Sequence, residues 1–373
     1  MIRYTATCLF GLEGLLGQEI DALGYKRTET MDGRISFEGD AAACARANIN
    51  LRFAERVYVT LGSFSASSFD ELFEGVKAIE WEAFISSHDC FPVSGHSIKS
   101  KLFSVPDCQR IIKKAIASRL GGKYGMSVLP EDSGITYKVE FFIFKDTATL
   151  MIDTSGVALH KRGYRPETVA APLRETLAAA LAALSRPREN VLFCDPFCGS
   201  GTIAIEAAMI MKNIAPGMDR RFIAEQYPLF PSILWDSARE EARSAIKKTD
   251  FKAYAADIDP DCVRIASEAC TRAGVGDVVS VKCADALSLT PNGERGTIVT
   301  NPPYGERLMT VNEAEELYKK IGIVFRALEP WQIYVLTPSA NFERLYGRKA
   351  DKIRKLYNGM IPCFFYQFFK NRK

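Results

Sequence analysis

Apolar and polar positions follow two styles along this chain. Up to about residue 153 the runs are short and mixed. Strand-like patterns over 3–9, 34–38, 56–62, 91–98, 135–143 and 147–153 are interleaved with helical spacing over 11–23, 40–52, 68–78 and 106–120. Leu12, Leu15, Leu16, Glu19 and Leu23 fall on one helical face, Gly39 closes a strand and Pro106 opens a helix. Such alternation predicts two small α+β units rather than one large parallel sheet. From Asp153 to Pro172 glycines and prolines sit among charges, the pattern of an inter-domain boundary.

Beyond it the style changes. An alanine-rich helix, Leu173–Leu184, ends at Arg186-Pro187 and leads into a wholly apolar strand, Val191–Cys194. Helices at 202–212, 260–273 and 313–328 then alternate with strands at 251–256, 278–282, 297–300 and 332–337. Continuous apolar strands alternating with helices predict an α/β fold with a parallel, doubly wound sheet covered on both faces. Residues 212–232 hold Pro216, Gly217, Pro228 and Pro231 and are expected to form an irregular insertion near the site. The aromatic run Phe364–Phe369 is expected to be core strand, not a nucleic-acid platform.

Composition narrows the class. With 373 residues and 47% apolar content the chain can fill two cores. Gly11, Glu13 and Gly14 interrupt the first apolar run, no stretch is long enough to span a membrane, and a cytoplasmic protein is expected. The 10 cysteines lie singly, with no CxxC pair, and the 3 histidines are far apart, so no metal site is expected. A net charge of +3 says little about polyanions, but its distribution says more. Basic residues gather from Lys99 to Lys123, including Lys113 and Lys114, again at Lys161, Arg162 and Arg165, and again from Arg344 to Lys355.

Candidate chemistry sits at strand ends. Asp195-Pro196-Phe197-Cys198-Gly199-Ser200-Gly201-Thr202 follows a buried strand and opens a helix, the place where doubly wound sheets bind ligands. The glycines allow close backbone approach, helix N–H groups can hold a carboxylate and Asp195 can balance a cation, which suits the amino-acid moiety of S-adenosylmethionine. A dinucleotide motif would need a third glycine, and Ile203 and Ala204 stand where the pattern breaks. Asp257 is expected to accept the ribose hydroxyls, with Ile258 against adenine and Asp259 capping a helix, and Asp285-Ala286 to meet the adenine amino group. In Asn301-Pro302-Pro303-Tyr304 the Asn301 side-chain oxygen and the Pro302 carbonyl can accept both protons of an exocyclic amine, while Tyr304 stacks on an extruded base.

At these residues the sequence resembles the bacterial THUMP-domain RNA methyltransferases, whose members make N2-methylguanosine in large-subunit ribosomal RNA. The resemblance spans nearly the whole chain and includes Leu159–Arg165, Ala171–Ala179, Asn213–Gly217 and Asn301–Arg307. It implies a ferredoxin-like segment at 1–54, a THUMP RNA-binding domain at 55–155, a linker at 156–171 and a Rossmann-like catalytic domain at 172–373. It also implies that Pro172 and Leu173 help line the cofactor pocket with Phe197, Ser200, Thr202 and Asn301. Lys113-Lys114 departs from the Lys-Asp pair frequent in the family. Members are often labelled adenine-N6 DNA methyltransferases, the alternative that the Asn-Pro-Pro-Tyr motif leaves open. A non-catalytic RNA-binding assembly factor and a dehydrogenase are the other classes to distinguish.

Overall fold

Tyr4, Ala6 and Cys8 turn one apolar face of β1 (Ile2–Cys8) inward, and this strand gathers partners on both sides. The computed structural model describes residues 1–131, 134–165, 173–289, 295–304, 310–328 and 330–369. After β1 come α1 (Glu13–Ala22), β2 (Lys26–Met31), β3 (Arg34–Gly39), α2 (Ala42–Asn50) and β4 (Ala54–Ser65). Then follow α3 (Phe69–Ala78), β5 (Val93–Ile98), α4 (Val105–Tyr124), β6 (Val139–Phe144) and β7 (Thr147–Asp153). All seven strands form one sheet, in the order β2-β3-β1-β4-β7-β6-β5.

The two α+β units expected from the sequence therefore share a sheet. The reason is the length of β4. Its first half pairs with β1 and its second half with β7, so 12 residues stitch one unit to the other. Strand β2 is absent from the hydrophobic pattern because nearly every residue in it is exposed, as suits a charged edge strand.

The second half contains α5 (Glu175–Ser185), β8 (Leu192–Asp195), α6 (Thr202–Lys212), α7 (Ser232–Ser244), β9 (Ala253–Asp257), α8 (Pro260–Arg272) and β10 (Val279–Cys283). It continues with β11 (Gly296–Thr300), α9 (Val311–Arg326), β12 (Gln332–Thr337), α10 (Phe342–Tyr346), β13 (Lys352–Asn358) and β14 (Ile361–Phe368). The sheet order is β10-β9-β8-β11-β12-β14-β13. Five strands are parallel, as expected, but β14 and β13 run antiparallel as an added hairpin. The aromatic run is indeed β14, with Phe365, Tyr366 and Phe368 buried. Alanines of α5 and α6 pack in a core continuous with the amino-terminal half, while Tyr318, Ile321 and Phe325 of α9 fill a separate core on the other face.

At the seam between the halves one expectation is given its partners and another is corrected. Residues 213–231 pack against the amino-terminal half. The Gly217 amide donates to the Ile49 carbonyl, Arg220 donates to the Leu159 and Val157 carbonyls, and the Tyr227 hydroxyl donates to the Asp153 carbonyl. A Cβ on Gly217 would meet the Asn48 carbonyl at 2.6 Å, so the chain needs glycine there. Arg162, expected on an RNA-binding surface, is buried. Its Nε lies 3.4 Å from Glu206, a fully buried carboxylate of α6 that also holds Arg52 at 3.3 Å and accepts the Tyr164 hydroxyl at 3.0 Å. Burial drives the Tyr164 phenol far above its usual range, so it stays a neutral donor.

Candidate active site

The sheet order reverses beside β8, whose neighbours are β9 on one side and β11 on the other. At such a switch point helices leave toward opposite faces and a crevice opens at the carboxyl ends of the strands. Asp195 ends β8, Asp257 ends β9, Asp285 follows β10 and Asn301 follows β11, on four adjacent strands. Three strand spacings of ~4.8 Å set them along an edge of about 14 Å.

Asp195 is 1% exposed and accepts the Thr300 hydroxyl at 2.7 Å, which ties β8 to β11. Burial, which outweighs that bond and is reinforced by the neighbouring Asp257 charge, pushes its carboxyl up to about 7. The turn after it is shaped by glycine: Gly199 has φ 51° and Gly201 φ 77°. A Cβ at Gly201 would press on the Ala266 methyl at 3.0 Å. The Gly199 amide donates to Asp257 at 2.9 Å, and the second oxygen of Asp257 accepts the Asp259 amide at 3.0 Å. The turn and the carboxylate thus fix one another. Ser200 and Thr202 are buried and share a hydroxyl hydrogen bond of 3.1 Å, and Phe197 packs against the α9 core.

Ile258 stands 71% exposed beyond β9, an apolar surface that the fold leaves uncovered. Asp259 caps α8 by accepting the Asp261 amide, as its position implied. Asp285 caps the short turn at Ala286–Ser288 through the Leu287 amide and keeps its carboxylate exposed, while Ala286 is buried. Leu173 is buried, and its carbonyl accepts from Arg165 at 3.2 Å. Pro172 lies outside the described residues.

Asn301 carries the most informative atom. Its Oδ1 is buried and has no hydrogen-bond donor among the described residues. An unmet buried acceptor costs about 1–3 kcal/mol, a penalty that a ligand N–H removes. Pro302 is buried, and the next carbonyl, that of Pro303, accepts from Tyr318, which also bonds Thr337. Tyr304 is half-buried, and its hydroxyl accepts from Asn358 at 2.9 Å. The sequence pattern did not single out Asn358. It ends β13 in a polar stretch, and its one signal is the Gly359-Met360 turn after it. Asn358→Ala is expected to loosen one hold on the Tyr304 ring and, on the nucleic-acid reading of the sequence, to raise the apparent KM for that substrate about three- to tenfold with little change in kcat, as steady-state kinetics would show.

The residues fit S-adenosylmethionine. A buried carboxylate faces the place for an ammonium, the glycine turn admits close backbone approach, and Asp257, Ile258 and Asp285 follow along the edge. The RNA-binding candidates differ in their surroundings. Lys113 and Lys114 are exposed on α4, with Lys113 paired to Glu131 at 3.2 Å, and Lys161 is exposed. Arg165 is partly buried with its guanidinium paired to Glu175 at 2.5 Å, so its charge, like that of Arg162, is already met within the fold.

Comparison with known proteins agrees with this geometry. The chain matches the RlmL ferredoxin-like domain over residues 3–58, the THUMP domain over 66–153 and the RMKL-like methyltransferase domain over 162–367. YpsC of Bacillus subtilis (strain 168), which bears the provisional name of an RNA methyltransferase, is 47% identical over 99% of this chain and 96% of its own length. Ribosomal RNA large subunit methyltransferase K/L of Shewanella baltica (strain OS185) is 32% identical over 98% of this chain, which spans about half (52%) of that protein. Among solved structures, a Listeria monocytogenes str. 4b F2365 protein described as a predicted N6-adenine-specific DNA methylase superposes with a TM-score of 0.92 at 43% identity, covering 99% of this chain and 96% of its own. SMU.472, which bears the provisional name of a methyltransferase and was crystallised with SAH, gives 0.91 at 39% identity, covering 100% and 99%. With a methyltransferase model matched over more than half its length and a relative 47% identical along nearly all of it, the chain belongs to the RMKL-like methyltransferase family.

Proposed function

We propose that the protein is an S-adenosylmethionine-dependent RNA methyltransferase that methylates the exocyclic N2 of a guanine in large-subunit ribosomal RNA. The domain division proposed with it is 1–54, 55–155 and 172–373, joined by 156–171. The observation that carries the chemistry is the unmet Asn301 Oδ1 beside the Pro302 carbonyl, at the strand end next to Asp195. S-adenosylmethionine, when bound, supplies an electrophilic methyl group on a sulfonium. Asn301 and Pro302 would each accept a hydrogen bond from one N–H of the amine, drawing its lone pair out of conjugation and aiming it along the line of transfer. Once methylated, the nitrogen is acidic and gives up a proton, so the site needs no strongly basic residue.

Asp195 gives the proposal a pH signature. Its folded value near 7 stands above the ordinary aspartate value of 3.8. Folding raises this acid, so its contribution to stability is complete below about 3.8 and is lost as pH rises through about 7. A bound ammonium reverses the preference by favouring the carboxylate. Cofactor affinity, measured by calorimetry with S-adenosylhomocysteine, should therefore rise by up to about tenfold per pH unit toward 7 and level off above it. Asp195→Asn should bind more weakly and flatten that profile. An unchanged profile in the variant would remove Asp195 from the ammonium site.

RNA as substrate is supported by the THUMP match at 66–153 and by the ribosomal RNA methyltransferase name of the Shewanella relative. The test is nucleoside analysis of ribosomal RNA from cells lacking the gene. Loss of one N2-methylguanosine, restored by the wild-type chain and not by Asn301→Ala, is the expected result. Unchanged ribosomal RNA with loss of N6-methyladenine from DNA would establish the alternative instead.

A further inference from the structure

A cleft of about 1650 Å³ lies between α1, the end of α5 and the outer strands of the second sheet, and the chemistry above does not use it. Arg186 and Arg188 line it just after α5, Lys352 and Arg354 from β13, and Gln367 from β14. Asp351, the one carboxylate lining it among the described residues, is already engaged by Arg348 at 3.1 Å and by the Phe369 amide at 2.7 Å.

Two donors in this cleft have no acceptor among the described residues. Arg354 Nε and Gln367 Nε2 are both buried without a hydrogen-bond partner, and Gln367 as a whole is 4% exposed. Lys352 stands directly opposite Gln367 in the β13–β14 register, and Arg354 follows two residues along, on the same face. Arg186 caps α5 at φ 55°, a left-handed position where helices favour glycine, so the chain keeps an arginine here against its backbone preference. A helix C-terminus attracts one cation but does not account for Arg188 and Arg354, which lie off the helix. Unmet donors among excess cations call for a ligand that only accepts hydrogen bonds and carries negative charge. Phosphate oxygens meet both demands, and arginine binds them through paired N–H groups.

We infer that this cleft grips the phosphodiester backbone of the RNA whose base enters the active site, an inference that rests on the RNA reading above. The same strand leads from one place to the other. Asn358, which holds Tyr304, lies four residues beyond Arg354 on β13. That is ~13 Å, or roughly four nucleotides of helical rise along one strand. This continuity favours nucleic acid over an acidic protein segment, which would have no link to the base site.

The experiment uses the full chain and a fluorescein-labelled transcript of large-subunit ribosomal RNA, with anisotropy read across a series of sodium chloride concentrations. Arg188→Ala/Lys352→Ala/Arg354→Ala should lose roughly tenfold in RNA affinity at 0.15 M salt, and its slope of log affinity against log salt should shrink by about one for each phosphate no longer neutralised. Affinity for S-adenosylhomocysteine should stay within about twofold of wild type. If the triple variant loses cofactor binding, the double variant at the exposed Arg188 and Lys352 replaces it, with a correspondingly smaller drop. A folded variant with unchanged RNA affinity and salt slope overturns the inference, and so does polyglutamate binding that needs these residues when RNA binding does not. A wild-type chain that fails to bind RNA at all would instead sink the RNA reading on which the inference rests.

Discussion

Replacing Asn301 with alanine is expected to lower methyl transfer by about 10³-fold while leaving S-adenosylhomocysteine affinity within about threefold. The asymmetry arises from the task of the side chain. Its Oδ1 is buried and unmet in the free protein, and the bond it awaits is to the amine, whose geometry changes during the reaction. An interaction strengthened only as the nitrogen becomes tetrahedral appears in kcat, whereas the cofactor contacts proposed above belong mainly to the Asp195 turn and Asp257. Asn301→Asp is the informative companion. It preserves size and one acceptor but brings a charge into a buried place next to Asp195, already pushed up to about 7, and should be active only where the new carboxyl is ionised. Single-turnover kinetics with labelled cofactor separate these effects from product release. Turnover within tenfold of wild type in Asn301→Ala would remove the role assigned here.

Glu206→Ala is expected to destabilise the protein by about 3–5 kcal/mol and lower its melting temperature by roughly 10 °C. Glu206 is wholly buried on α6, and its two oxygens serve Arg52 from the amino-terminal half, Arg162 from the segment joining the halves, and the Tyr164 hydroxyl. Removing the carboxylate leaves two buried guanidinium groups facing one another, although both retain carbonyl partners. Arg52 donates to the Ile214 carbonyl at 2.7 Å, and Arg162 donates to the Arg52 carbonyl at 2.5 Å and to the Leu159 carbonyl at 2.6 Å. Glu206→Gln keeps the volume and an acceptor and should cost less, a difference that thermal unfolding monitored by circular dichroism resolves. Because α6 begins at the cofactor turn, the alanine variant should also weaken cofactor binding, through the seam and not by touching the ligand.

Three of the strand-end motifs were legible because each comes at the end of an apolar strand and brings a backbone restriction with it: two glycines after Asp195, a proline after Asp259, two prolines after Asn301. A buried strand can be read from its own residues, and the residues just beyond it in a doubly wound sheet must lie at the carboxyl edge. Partners distant in sequence were not legible. Arg162 and Arg165 look like parts of a basic patch until the fold delivers Glu206 to one and Glu175 to the other. Asn358 reaches Tyr304 only because β13 closes the sheet, and β13, like β2, is a polar strand with weak hydrophobic alternation. Both strands are nevertheless marked by turns, Asp32-Gly33 after β2 and Gly359-Met360 after β13, where the glycines have φ 74° and 65°. The 213–231 segment was legible only in part. Its prolines and glycines signal irregular backbone but do not say that Gly217 rests against Asn48 and Ile49.

The most direct measurement incubates the purified chain with S-adenosylmethionine labelled in its methyl group and, in parallel, total RNA and genomic DNA from cells lacking the gene, with nucleoside analysis afterwards. Label recovered as N2-methylguanosine from large-subunit ribosomal RNA, absent from DNA and absent with Asn301→Ala, is the predicted result. Label in N6-methyladenine of DNA, or methylated RNA produced equally well by Asn301→Ala, would contradict the account.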